Sequence, residues 1–454
     1  MLLSFLLCVL ILYAPLPDSA GAVDPWVTLG GVAGLAALTV LAGWLCSTLA
    51  VYLLRRRDPM AAPGSALRDV MASRVFSLLS GLVVGFTAAD VFVFGWPMLV
   101  YRLLGVYRWM VLLDDLLLLL PALLMMLAVI MWRYRVESLG RPVSPGMLRY
   151  LWLRVRVELG VILVPWLLLV SLTDLAEAVF HGFSPLAGAV VSGAAVVLLL
   201  SVSPLLLRAI WGTSRLPDGA LRQRLEAFSV GHGFRCNDIL LWHTHNHIAN
   251  AGVIGPLPFL RYVLLTDVLV SRCTEEEVEA VFAHEVGHIR RHHLAFYFLF
   301  AVAFFCFYVN LVDLVALSGR VGPLTDVLGL QMTPPQAVVM LLFAVAYWAL
   351  VFGFVSRRME QQADMFSLRS IERPEALLSA LDKLGALGHA PRRASFWRHF
   401  SIDRRIAFLR RIMSDPAKAR GFDLRIAALK GGIIALSAAG FLRLLLYRPG
   451  LFGL

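Results

Sequence analysis

Charge is scarce in this chain. Asp, Glu, Lys and Arg fill 16% of its 454 positions, where soluble domains carry about a quarter. Disordered chains and coiled coils need more charge than this, so both are excluded. Cysteine is scarce as well. Cys8, Cys46, Cys236, Cys273 and Cys306 are scattered, odd in number and form no CxxC, which argues against a disulfide scaffold or a cysteine zinc site. There is no internal repeat. What the chain has in excess is apolar surface: 59% hydrophobic residues and a mean hydropathy of +0.77. One core cannot hide that much, so a bilayer must solvate much of the chain.

Eight apolar stretches are long enough to be read as membrane spans, at 27–54, 75–101, 109–132, 159–180, 186–207, 294–317, 336–355 and 431–447. The stretch 2–13 is shorter. It reads as a signal-peptide core or a retained anchor, with Ala20-Gly21-Ala22 resembling a cleavage site. The net charge of +11 would suggest a nucleic-acid partner in a soluble protein. Here the arginines cluster between spans (Arg55, Arg56, Arg57, Arg68 and Arg74, then Arg133 to Arg156), whereas 174–183 has none. The positive-inside rule therefore accounts for the charge, places those loops and the polar segments 208–293 and 357–430 in the cytoplasm, and leaves no call for nucleic acid.

The resulting expectation is a mainly α, multispan membrane protein with a small β-sheet in a cytoplasmic catalytic domain. Its parts run as a signal peptide or anchor (1–26), a membrane region of about five spans (27–211), a catalytic domain (212–293) and a two-span hairpin (294–356). The catalytic domain then resumes (357–426) before a last span (427–454). Residues 221–234 read as an amphipathic helix. Residues 239–245 and 261–266 read as strands, with Gly252, Gly255, Pro256 and Pro258 marking a turn between them. Thr274, with Glu277 three residues on, predicts a capping box at the next helix.

That helix contains His284-Glu285-Val286-Gly287-His288, an HExxH motif. Positions i and i+4 share a helix face, so the two imidazoles can grip one zinc ion. Glu285 is offset. It misses the ion but reaches a water beside it, as a general base must. With 11 histidines in the chain, an accidental HExxH is expected roughly 0.007 times. A hydrolytic zinc site needs a third protein ligand. Beyond the next two spans, Glu360 and Asp364 are again i and i+4. Glu360 is the candidate ligand, and Asp364 is placed to orient a ligand imidazole.

HExxH, a two-span hairpin and then Ser356-Arg357-Arg358-Met359-Glu360-Gln361-Gln362-Ala363-Asp364 resemble the membrane metallopeptidases of family M48, which include HtpX-type and CAAX prenyl proteases. The resemblance covers about 219–410. It implies a gluzincin site facing the cytoplasm, with one zinc on His284, His288 and Glu360 and with Glu285 as base. It also implies a substrate edge at Asn250-Ala251 and an oxyanion role for His399 near Arg405-Ile406, although Phe400 and Ser401 stand where the family often has prolines. The expected partners are polypeptides, membrane proteins above all, and the lipid bilayer. The expected location is a bacterial inner membrane. The alternatives are a sensor-transducer protease of M56 type, a CAAX-type processing protease and an idle zinc-binding scaffold.

Other polar residues are given plainer roles. His243, His245 and His247 alternate as a polar strand face would. His292 and His293, after Arg290 and Arg291, read as a basic helix end at the membrane surface. Asp90, Asp114, Asp115 and Asp313 lie in or near spans, where a carboxylate is a functional candidate.

Overall fold

The computed structural model describes residues 2–12, 23–57, 66–104, 112–138, 146–179, 185–244, 249–315, 342–344, 346–387 and 400–447. The chain divides into two compact units, Met1–Gly212 and Thr213–Leu454.

The first unit is helical: α1 (Leu2–Leu12), α2 (Pro25–Arg57), α3 (Ala66–Phe92), α4 (Trp96–Leu104), α5 (Leu113–Glu137), α6 (Met147–Arg154), α7 (Val161–Val179) and α8 (Pro185–Trp211). Its core is apolar and interhelical, with Phe5 and Cys8 of α1 fully buried among Val83, Leu118 and Met126. The stretch 75–101, read as one span, is broken. Gly95 takes a left-handed φ of 62° and α4 starts afresh at Trp96, a conformation that glycine adopts without a Cβ clash. The arginines assigned to the loop after the stretch 109–132 also sit elsewhere. Arg133 is on α5 and Arg154 on α6, and both pair with Glu137 and Glu158 at 2.5–3.3 Å. Tyr150 donates to Glu137 at 3.0 Å. This network, with Glu137 and Tyr150 buried at its centre, closes α5 onto α6, because the Glu137 carboxylate buried without its arginines would cost several kcal/mol.

The second unit opens with a four-stranded sheet of β1 (Thr213–Arg215), β2 (Asp238–Trp242), β3 (Ala251–Ile254) and β4 (Tyr262–Thr266), in the order β1-β2-β4-β3. β2 and β4 are parallel, with Leu240 opposite Leu264; β3 runs antiparallel to β4, with Gly252 opposite Leu264. Gly252, assigned to a turn, is therefore in a strand. The turn belongs to Gly255, at φ 98°, where a Cβ would lie 2.2 Å from the Leu260 carbonyl oxygen. β2 ends at Trp242, so His243 is not on a strand face; it is exposed and 2.8 Å from Ser214 Oγ. His245 and His247 lie outside the described residues.

The amphipathic helix α9 (Ala220–Gly231) buries Leu225 and Phe228 against the sheet residues Ile239 and Val263. Arg222 anchors it to Asp238 at 2.6 Å and Arg224 to Glu279 at 2.7 Å. Then follow α10 (Asp267–Arg272), α11 (Glu275–Arg290), α12 (His293–Val315), α13 (Gly353–Ser370), α14 (Glu375–Leu387), α15 (Ile402–Ser414) and α16 (Pro416–Tyr447). The capping box at α11 is present: Glu277 N–H donates to Thr274 Oγ1 at 3.3 Å and Thr274 N–H to Glu277 Oε2 at 2.8 Å. Among the described residues, six helices are long and apolar enough to cross a membrane, or up to eight if two bent pairs each count as one span. Their apolar faces stay exposed in water terms, as at Trp26, Leu78 and Phe298, which is the surface that lipid covers.

Candidate metal centre

The motif helix α11 carries a wholly apolar inner face, with Val278, Phe282, Ala283 and Val286 buried. Its histidines leave that core on the side facing α13. The two helices close tightly because Gly287 has no side chain: a Cβ there would meet Ala363 Cα at 3.2 Å and Phe366 Cβ at 3.1 Å. Ser367 Oγ donates to the Ala280 carbonyl at 2.7 Å and locks the crossing. Glu360 and Asp364, one turn apart on α13, thereby face His284 and His288, one turn apart on α11.

The resulting distances test the donor set. Glu360 Oε2 is 3.7 Å from His284 Nε2, Glu360 Oε1 is 3.7 Å from His288 Nε2, and the two Nε2 atoms are 3.2 Å apart. Ligands at 2.0–2.1 Å from a tetrahedral zinc lie about 3.4 Å from one another. Two nitrogens with a carboxylate facing both, one ligand atom from each lying within 4.8 Å of the others, fit such an ion.

The ligands are held from behind. His284 Nδ1 lies 2.9 Å from Asp364 Oδ1. Asp364 is fully buried and takes a two-pronged contact from Arg405 of α15, at 2.5 and 2.9 Å. His288 Nδ1 lies 2.9 Å from His293 Nδ1, and His293 Nε2 lies 3.0 Å from Gln362 Oε1. With Nε2–H donating to Gln362, His293 accepts from His288 Nδ1–H and leaves His288 Nε2 free for a cation. His293 is thus not a basic end at the membrane surface. It is completely buried, because His292 adopts a left-handed φ of 57° and the chain bends by 47° between α11 and α12.

Protonation follows the same geometry. Burial opposes charge on His284, but Asp364 and Glu360 outweigh it and raise its pKa to about 10. Burial, then the charge so held on His284, push His288 down to about 3. Asp364 is paired with Arg405, so Glu360 is the carboxylate whose charge favours a divalent cation between the two imidazoles.

His284, Glu285, His288 and Glu360 all border a cavity of about 590 Å³. Glu285 is partly exposed there. Asn250 and Ala251 border the same cavity at the start of β3, and β3 is one of the two edge strands of the sheet. Asn250 is pinned by Thr266, whose Oγ1 accepts from its N–H at 3.0 Å and donates to its carbonyl at 2.9 Å. His399 lies outside the described residues. From sequence, Arg405 and Gln362 had no assigned role at the site and His293 had a different one, at the membrane surface. For Arg405 the signal was its place in the Arg405-Ile406 match; the neighbours of His293 and Gln362 are chosen by the bend at His292.

Together, the multispan helical architecture and the HExxH helix crossed by an ExxxD helix define a membrane-embedded metalloprotein of gluzincin type. Residues 218–413 match the family model "Peptidase family M48". Over that segment the chain is similar to the M48 metallopeptidases. It is 29% identical over 107 residues to a CAAX prenyl protease 1 homolog of Arabidopsis thaliana, covering 23% of this chain and 25% of that one. It is 27% identical over 140 residues to a protease HtpX homolog of Campylobacter hominis, covering 30% and 47%. The matched parts therefore span between a quarter and half of these relatives. In three dimensions it resembles the crystal structure of S. mikatae Ste24p, with a TM-score of 0.51 at 18% identity over 85% of this chain and 99% of that one. That likeness is one of fold.

Proposed function

We propose that the protein is a zinc-dependent endopeptidase of the membrane that hydrolyses peptide bonds of polypeptides, membrane proteins among them. The observation that carries this reading is the convergence of His284, His288 and Glu360 beside Glu285, in a cavity bordered by an edge strand. Zinc, when bound by that triad, acts as a Lewis acid toward the scissile carbonyl and acidifies an adjacent water. Glu285 takes the proton from that water and later passes it to the leaving amine. A substrate segment adds to β3 as a further strand from Asn250 onward, held by main-chain hydrogen bonds. His399 keeps the oxyanion-stabilising role that its motif implies. Asp364 and His293 hold the two imidazoles in the tautomers that ligation needs.

The arginine distribution supports a cytoplasmic site, and the bacterial HtpX relative supports a bacterial inner membrane. The match to a CAAX prenyl protease homolog favours a second reading, in which the substrate carries a prenylated C-terminal cysteine.

The test is Glu285→Gln in the purified full chain. Cleavage of a model membrane substrate falls by roughly 10²–10⁴-fold while bound zinc stays at one per chain. Unchanged turnover removes Glu285 as base. The same variant, expressed in the native host as a trap, separates the two readings: membrane proteins retained on it favour general proteolysis, and lipidated peptides favour CAAX processing.

A further inference from the structure

A second cavity, of about 790 Å³, lies between α13, α15 and α16 and shares no lining residue with the metal-centre cavity. Its charge is of one sign. Arg358 comes from α13, Arg404 and Arg411 from α15, and Lys418 and Arg425 from α16, and none of its lining residues is acidic. Lys418 is neutralised by Asp415 at 3.1 Å. The arginines are not neutralised. Arg358 donates to Gln361 at 2.7 Å and Arg425 to the Gly421 carbonyl at 3.1 Å, and among the described residues none of the four arginines has a carboxylate partner. Beneath the charges the wall is apolar, built from Phe354, Phe408, Phe422 and Leu429.

The depth of this cavity can be read from the helices that line it. Residues 342–355 carry no charge, and Arg357 and Arg358 follow directly. On α16 the order is reversed: charges run from Lys418 to Lys430, and 431–442 carry none. Phe354 with Arg358, and Leu429 with Arg425, line the cavity where each helix passes from apolar to basic. This is the level of lipid headgroups.

We propose that this cavity binds the phosphate headgroup of an anionic membrane phospholipid, with the guanidinium groups on the phosphate and the phenylalanines against the glycerol and upper acyl chains. Planar guanidinium forks match phosphate oxygens two at a time. Four like charges crowded at one rim repel one another until an anion sits between them. A free phosphate would use the rim but not the phenylalanine wall. An acidic peptide would leave that wall facing the bilayer side uncovered. A phospholipid uses both.

The test uses the full chain in detergent micelles, with lipid retention read by native mass spectrometry. The probes are dioleoyl phosphatidylglycerol, dioleoyl phosphatidylcholine, sodium phosphate and a polyglutamate peptide. Phosphatidylglycerol is expected to be retained over phosphatidylcholine, with neither sodium phosphate nor polyglutamate displacing it. Arg404→Gln combined with Arg411→Gln, both exposed positions, is expected to weaken phosphatidylglycerol retention by roughly tenfold to thirtyfold, with zinc content and unfolding temperature unchanged. Arg235→Gln combined with Arg373→Gln, exposed arginines elsewhere, is expected to leave retention intact. Equal retention of the two lipids, or an equal loss in both double variants, overturns the proposal. Displacement by phosphate reassigns the site to a free anion, and displacement by polyglutamate to an acidic peptide; either outcome also overturns it.

Discussion

His293 Nδ1 stands 2.9 Å from His288 Nδ1, and the far nitrogen of the same ring stands 3.0 Å from Gln362. A residue five positions beyond the motif thus orients one of its two imidazoles. His293→Ala removes that partner and frees His288 to rotate or change tautomer. Zinc affinity is expected to fall about 10–100-fold, read by competition with a chelator. Gln362→Leu, which leaves His293 in place, is expected to cost less. Wild-type affinity in His293→Ala would show that packing alone holds His288.

Glu360→Ala removes the third donor. Zinc per chain after dialysis is expected to drop well below one, as three-ligand sites tolerate the loss of a ligand poorly. Full occupancy would take Glu360 out of the ligand set.

Arg405 neutralises Asp364 behind the other imidazole, at 2.5 and 2.9 Å. Arg405→Met leaves a fully buried carboxylate with its cation gone, a loss of about 3–5 kcal/mol. A lowered unfolding temperature in the metal-free protein is the readout. Arg405→Met with Asp364→Leu together is expected to recover much of it, because the stranded charge goes too.

Gly287 sets how closely α11 approaches α13. Gly287→Val forces branched carbons into Ala363 and Phe366, which already lie at 3.1–3.2 Å from a single Cβ. Destabilisation of about 1–3 kcal/mol is expected. Zinc affinity should fall with it, since the helix separation is also the ligand separation. A stable variant with normal affinity would show that the crossing is adjustable.

Glu277 joins the capping box to α14, accepting from Ser379 at 2.6 Å and Lys383 at 2.7 Å. Burial raises its pKa, but Lys383, Ser379 and the Thr274 N–H prevail and hold it below the ordinary carboxylate range. A carboxylate whose folded pKa lies below its unfolded one stabilises the fold above the unfolded pKa. That contribution fades as pH falls through the folded value. Wild type is expected to be more stable than Glu277→Gln at neutral pH. The difference should shrink below about pH 4, the unfolded carboxylate range. A pH-independent gap would assign the effect to packing.

Much of this site was legible in one dimension. His284, Glu285 and His288 announce themselves because helical periodicity turns a spacing of four into a shared face. Glu360 and Asp364 repeat that spacing. Span composition was equally plain, since a residue facing lipid has few chemical options. What escaped was governed by single backbone angles. Gly95 breaks a span, Gly255 shifts a turn so that Gly252 joins the edge strand, and His292 turns His293 inward.

Sequence by itself therefore determined that the chain lives in a bilayer and carries paired donors at helical spacing, because hydropathy and periodicity are local properties. Only the tertiary structure decided that the two pairs meet, at a crossing where Gly287 lets helices more than sixty residues apart come within ligand distance. It alone recruited His293, Gln362 and Arg405 behind them. Such contacts depend on how elements pack, and no local pattern encodes a neighbour supplied by another helix.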